Sequence, residues 1–206
     1  MNLSQPGADI LGETPAALLR ALARRTSAAS GRELGRLAGI SSPSTAHRAL
    51  AELVRTGLVA ATESSHATLF ALNREHALWT PIESILGIPA KIDQMIETIV
   101  AEAFGDTATV ALFGSVARGD ATSGSDIDIA LVVANDARPD SVAEVSDQLV
   151  ERLGVFTGNA VQVVAITRSQ FAGMIAAHDP LIDSWAADAR TISGADLKLA
   201  IGAHAP

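Results

Sequence analysis

Hydrophobic residues follow helical spacing in the first part of this chain and strand-like runs later, and the change predicts its elements. ETPAALLRALARRTS puts Leu18, Leu19, Leu22 and Ala23 on one helical face. SGRELGRLAG predicts a second helix: Ser30 and Glu33 have capping-box spacing, Leu34 and Leu37 supply the stripe, and Gly39 stands at the stop. After the turn Ile40-Ser41, SPSTAHRALAELVRTG predicts a third helix. Ser42 is its N-cap, Pro43 its first residue and Gly57 its end. Two β-prone runs, 58–62 and 67–72, then flank a polar tip at 63–66.

The stretch NREHALWTPIESILGIPA breaks the pattern, so a boundary is expected near residue 78, with Trp79 packed between two domains. PAKIDQMIETIVAEAFG then aligns Ile92, Met95, Ile96, Ile99, Val100 and Ala103 along an amphipathic helix. Residues 107–113 and 126–133 read as buried strands. SVAEVSDQLVERLG reads as a helix and AVQVVAI as a strand, and Thr167 with Gln170 caps a helix in SQFAGMIAAH. His178 and Asp179 fall at its end, where a helix-terminus charge match explains them.

Composition narrows the possibilities. A chain of 206 residues that is 48% hydrophobic and 18% charged can bury a core, which excludes wholesale disorder. The absence of cysteine excludes disulfides, thiolate catalysis and zinc–thiolate sites, and the absence of tyrosine excludes tyrosine self-modification. No apolar run approaches the roughly 20 residues that span a bilayer. MNLSQPGADI has no basic region before an apolar stretch, so neither a membrane partner nor a secretory signal is expected, and the expected location is cytoplasmic. The net charge of −8 is unevenly spread. Residues 1–78 hold eight arginines against six acids, a net of +2, and residues 79–206 carry −10. A basic piece joined to an acidic one suggests two domains with different partners.

Helix, short turn, helix and a β-hairpin make residues 12–75 resemble a winged helix-turn-helix domain of the bacterial transcription-regulator kind. The resemblance implies a DNA partner, with Ser44, Thr45, His47 and Arg48 facing the major groove and Arg48 suited to a bidentate guanine contact. It also admits a homodimer on two half-sites. A small helical dimerisation bundle with the same polar face is the alternative.

The second half carries a chemical signature. In TATVALFGSVARGDATSGSDIDIALVV, Gly114 permits a sharp turn after a strand, and Ser115 opens a helical turn whose backbone N–H groups suit a polyphosphate. Asp126 and Asp128 lie two apart, so both carboxylates project from one strand face and Ile127 and Ile129 from the other. Such a pair of hard oxygen ligands suits Mg²⁺, which also binds phosphates.

Gly114-Ser115, ten residues, then Asp126-Ile127-Asp128 resembles the DNA polymerase beta-like nucleotidyltransferase superfamily, in its minimal branch. The likeness is strong over 107–133 and extends in outline over 88–195. It implies an α+β chain: an N-terminal winged helix-turn-helix (1–78) followed by a small mixed α/β nucleotidyltransferase domain (79–206). By position it makes Asp126 and Asp128 the catalytic metal ligands, for Mg²⁺ or Mn²⁺. Gly114, Ser115, Arg118 and Ser125 would then bind a nucleoside triphosphate, ATP being the expected one. A surface ion pair with Asp120 is the alternative for Arg118.

One position departs from the family. Its third carboxylate falls in a strand that reads AVQVV here, which puts Gln162 at the third-ligand position. An amide is a weaker Mg²⁺ ligand than a carboxylate and cannot act as a base. Three readings follow. The first is an enzyme that moves a nucleoside monophosphate from a triphosphate to a protein or small-molecule hydroxyl. The second is a DNA-bound regulator that senses a nucleotide with weak catalysis. The third is an antitoxin-like protein acting on a partner toxin.

Overall fold

The computed structural model describes residues 1–204. They fold as two compact units, essentially Ser4–Pro89 and the residues from Ala90 onward.

The N-terminal unit begins with α1 (Ala8–Leu11) and α2 (Glu13–Ala23). Next come β1 (Ala29–Ser30), α3 (Gly31–Leu37), α4 (Pro43–Arg55), β2 (Val59–Glu63), β3 (Thr68–Leu72) and α5 (Trp79–Leu86). The two β-prone runs form the expected antiparallel hairpin, with Ala61 opposite Phe70, and β1 adds a third strand beside β3. The helical stripes meet in one core of Leu18, Leu19, Leu22, Leu34, Leu50 and Phe70.

Two local expectations change. Ser30 accepts from the Glu33 N–H at 3.3 Å, but the Glu33 carboxylate turns to Arg25 Nη1 at 2.9 Å, so only half of the capping box forms. A charge-assisted bond to a guanidinium outweighs one to a backbone amide. Trp79, expected between two domains, lies in the core of the N-terminal unit itself. It is 3% exposed within the N-terminal core, beside buried Ile82, with the Arg74 guanidinium 5.7 Å from its ring. Helix α5 therefore belongs to this unit, and the units divide after Pro89 rather than near residue 78.

The second unit follows from α6 (Ile88–Phe104), whose Ile92, Ile96, Ile99 and Val100 are buried; Ala103, expected on the same stripe, is exposed. A 3-10 turn (Gly105–Thr107) leads to β4 (Thr109–Phe113), α7 (Gly114–Arg118) and β5 (Ile127–Val133). The chain continues through α8 (Pro139–Thr157), β6 (Val161–Thr167), α9 (Arg168–Ala176), α10 (Pro180–Asp188), β7 (Arg190–Ser193) and α11 (Leu197–His204).

The sheet order is β6-β5-β4-β7, with β6 parallel to β5 and both other pairings antiparallel. On one face Ala111, Phe113, Ala130 and Val132 pack with Phe171, Ile175, Trp185 and Ile201 of α9, α10 and α11. The alternate residues Val110, Leu112, Ile127, Ile129 and Leu131 are buried as well, which explains why both central strands read as unbroken apolar runs. Thr167 and Gln170 form a complete capping box on α9. Asp179 instead caps the next helix, accepting from the Leu181 N–H at 2.9 Å, and His178 makes the corner with φ 53°.

Trp79→Ala should cost the N-terminal unit about 3–5 kcal/mol, the usual cost of emptying a buried aromatic site. Hydrogen exchange should localise the loss to residues 4–89. Protection lost equally in both units would disprove the placement of α5.

Candidate nucleotide site and DNA-facing surface

The C-terminal site is built where β4 and β5 meet. Their register sets Phe113 opposite Asp128, so the residue after the strand, Gly114, falls against the Asp128 side chain. Gly114 has φ 69°, and a Cβ built on it would overlap an Asp128 carboxylate oxygen. Glycine is required there twice, by backbone conformation and by contact. Its N–H donates to Asp188 Oδ1 at 3.3 Å.

Strand β5 starts at Ile127, one residue later than expected, so Asp126 sits at its entrance and Asp128 within it. Both are half-exposed, and the alternating Ile127 and Ile129 are fully buried. The parallel register places Gln162 of β6 opposite Asp128, and the Gln162 Nε2 donates to Asp126 Oδ2 at 2.8 Å. These three side chains share one end of the sheet, as the strand pattern requires.

Sequence reasoning missed Asp188. The last residue of α10, it has a side chain only 7% exposed, and its Oδ2 accepts from Arg118 Nη1 at 2.6 Å. Arg118 also donates through Nε to Asp120 Oδ2 at 3.2 Å, so the expected surface pair exists beside a shorter one. No motif spacing marks Asp188; an acid just before a β-strand is common, and only the β4–β7 pairing brings it here. The Ser115 hydroxyl has no partner among the described residues. The Ser125 hydroxyl does have one, accepting from the Thr122 N–H at 2.9 Å, and therefore braces the loop ahead of Asp126.

Burial first, then the negative charges of Asp126 and Asp188, pushes the Asp128 carboxyl above its ordinary range, while Arg118 opposes them. Two unneutralised carboxylates at a strand end are a donor set that a divalent cation relieves. Mg²⁺ commonly takes one or two protein carboxylates and completes its shell with phosphates and water, so the residues fit such an ion. Among the described residues no three acidic or histidine side chains are placed to hold one metal ion together.

In the N-terminal unit, α4 exposes Ser44, His47 and Arg48, while Thr45 is half-buried. The hydroxyls of Ser44 and Thr45 both lie 3.0 Å from Ser42 Oγ, within the helix cap, which leaves His47 and Arg48 the freest side chains of the four. Two features were missed. Arg32 and Arg36 of α3 line a concavity of about 510 Å³ with His47, and His66 at the hairpin tip joins Arg32 and His47 around another of about 450 Å³. The i, i+4 spacing of Arg32 and Arg36 was the available signal.

Comparison with known families agrees with both halves. The IclR helix-turn-helix domain model matches residues 16–63, and the nucleotidyltransferase domain model matches 94–174. The chain joins an IclR-type helix-turn-helix DNA-binding domain to a nucleotidyltransferase domain. Its fold class is therefore the expected one. The nucleotidyltransferase model spans Gly114, Arg118, Asp126, Asp128 and Gln162, and stops before Asp188.

Among solved structures, similar chains come from a toxin–antitoxin with AMP-PNP and from a tri-AMPylated Shewanella oneidensis HEPN toxin in complex with MNT antitoxin. Each is 17% identical with a TM-score of 0.38; they cover 54% and 55% of this chain and 84% and 83% of theirs. A chain of the MntA-HepT toxin–antitoxin is 15% identical, covering 55% of this chain and 84% of its own, with a TM-score of 0.36. No curated protein matches the chain. No helix among the described residues is long and apolar enough to cross a membrane.

The raised pKa of Asp128 has a defined stability consequence. The folded chain holds this proton at pH values where the unfolded chain has released it. The stabilisation is complete below the unfolded pKa and disappears as pH rises through the folded one. Ionised Asp128 is thus a burden at pH 7. Asp128→Asn should raise the melting temperature there by a few degrees, and the gain should vanish in acid. A lower melting temperature for the variant at pH 7 would contradict this assignment.

Proposed function

We propose that this protein is a DNA-bound regulator whose nucleotidyltransferase domain takes up a metal-bound nucleoside triphosphate and transfers its nucleotidyl group slowly. The observation that carries the reading is the Gln162 amide donating to Asp126 Oδ2 at 2.8 Å, opposite Asp128 in the strand register. Nucleotidyl transfer joins an acceptor hydroxyl to the α-phosphorus, expels pyrophosphate and must dispose of the hydroxyl proton. An amide has no basic site for that proton. Binding tolerates the change better, because phosphate contacts and two carboxylates remain.

In this reading Asp126 and Asp128 hold the ion, and Ser115, Arg118 and the turn after β4 face the phosphates. The ion, when bound, supplies positive charge against the charge developing at phosphorus. The residues of the chain supply position: Gly114 admits Asp128 close to the turn, and Ser125 holds the approach to Asp126. ATP remains the expected triphosphate, with Mg²⁺ or Mn²⁺ as its ion. The first test incubates the protein with radiolabelled triphosphates and Mg²⁺. Affinity with little covalent label is expected, and Gln162→Asp should tighten Mg²⁺ and raise the transfer rate. Brisk native turnover that Gln162→Asp abolishes would refute the reading.

On the DNA side, α4 enters the major groove with His47 and Arg48 leading. Ser44 and Thr45 serve nearer the backbone, and a dimer spaces two half-sites about one helical turn apart. Arg48 makes no ion pair among the described residues, so its guanidinium is available. Arg48→Ala should weaken specific binding by about 1–3 kcal/mol and relax the preference at one base. Uniform weakening across all sequences would make Arg48 a phosphate contact instead.

A further inference from the structure

The two donors that the site would offer a phosphate, the Gly114 N–H and the Arg118 guanidinium, are already joined by one carboxylate. Asp188 Oδ1 accepts from Gly114 N at 3.3 Å and its Oδ2 accepts from Arg118 Nη1 at 2.6 Å. One anion bridging a turn amide and an arginine reproduces the contacts of a bound phosphate oxygen pair. We propose that Asp188 is an internal stand-in for phosphate, a positioning residue that lowers triphosphate affinity by holding Gly114 N–H and Arg118 until a metal-bound triphosphate takes them. The inference rests on the nucleotide-site reading and specifies how that site is regulated.

The placement of Asp188 supports exchange rather than permanent closure. It is the final residue of α10, and a carboxylate at a helix C-terminus faces the negative end of the helix dipole. Nothing in the helix favours an anion there; its partners on α7 and at the turn do. The backbone on both sides is fixed. Trp185, one turn earlier, is fully buried against Phe113 and Phe171, and Arg190, two residues later, makes a bidentate pair with Asp93 at 2.8 Å. Release therefore requires rotation of the Asp188 side chain and a swing of Arg118, which is 47% exposed and free to follow a ligand outward. Asp120 remains as a second partner at 3.2 Å and keeps Arg118 near the turn during the exchange.

A purely structural carboxylate and a stand-in give opposite results when it is removed. If Asp188 only shapes the site, deleting it disorders Arg118 and weakens binding. If it competes with phosphate, deleting it frees both donors. The test measures calorimetric binding of inorganic tripolyphosphate and of ATP, each with Mg²⁺, to the full chain and to Asp188→Ala, Asp188→Asn and Asp188→Glu. Asp188→Ala should bind both probes about tenfold more tightly, the scale of one charge-assisted hydrogen bond no longer contested. Asp188→Asn keeps an acceptor for Gly114 and should fall between. Asp188→Glu restores the charge and should return affinity toward the native value.

Thermal melts identify any variant that fails to fold, and Asp188→Asn then decides the matter as the nearly isosteric change. Unchanged or weaker binding in folded Asp188→Asn and Asp188→Ala, with native binding measurable, overturns the stand-in and leaves the nucleotide site intact. Absence of binding by every folded form overturns both together.

Discussion

The C-terminal site depends on one close approach, the Asp128 carboxylate filling the space that a Cβ on Gly114 would need. Antiparallel pairing of β4 with β5 fixes Phe113 opposite Asp128, so the chain must turn at the next residue in the space that carboxylate already fills. Only a residue without a side chain can turn there with φ 69°. The other contacts follow from that turn. It aims the Gly114 N–H at Asp188 and starts α7 so that Arg118 comes round one turn later, with Ser115 half-buried beside it. A Cβ at 114 would therefore displace the metal-ligand candidate and the phosphate donors at once.

This dependence explains what could be read from the sequence. Gly114, Ser115, Asp126 and Asp128 were legible because their geometry is local: a strand, a forced turn, and a returning strand with alternating burial. Gln162 was legible through the resemblance, which expects a third carboxylate in the strand reading AVQVV, and the parallel register does set that residue opposite Asp128. Asp188 was not legible. It reaches the site through β7, a four-residue strand whose register with β4 shifts between Val110 and Ala111, and no periodicity announces such a partner.

The same distinction holds in the DNA-binding half. Helix starts at Ser30, Pro43 and the hairpin limits followed from caps and turn residues, which act over three or four positions. Trp79 was misread because the two prolines of NREHALWTPIESILGIPA suggested a domain boundary, whereas burial of a large aromatic ring outweighs local turn propensity. Glu33 was half misread for a similar reason: Arg25 lies eight residues away in sequence, and the fold brings it within 2.9 Å. Local rules located the elements, and long-range charge and packing decided where their side chains went.

Charge also decides how this site can accept a nucleotide. Asp126, Asp128 and Asp188 gather three negative charges around Arg118, and the raised pKa of Asp128 records burial first and this repulsion second. A bare triphosphate would add several more negative charges where the protein already has an excess, so affinity for it alone must be poor. A divalent ion changes the balance on both sides, neutralising the carboxylate pair at the strand end and part of the phosphate chain. It also removes much of the repulsion between the incoming phosphates and Asp188, which makes the exchange at Arg118 one anion for another instead of an accumulation. In the proposed function metal and nucleotide would thus be coupled by electrostatics before any chemistry begins. Gln162 enters the same account: with a carboxylate at 162 a fourth negative charge would deepen the excess, tightening the ion while making the metal-free site costlier to fold.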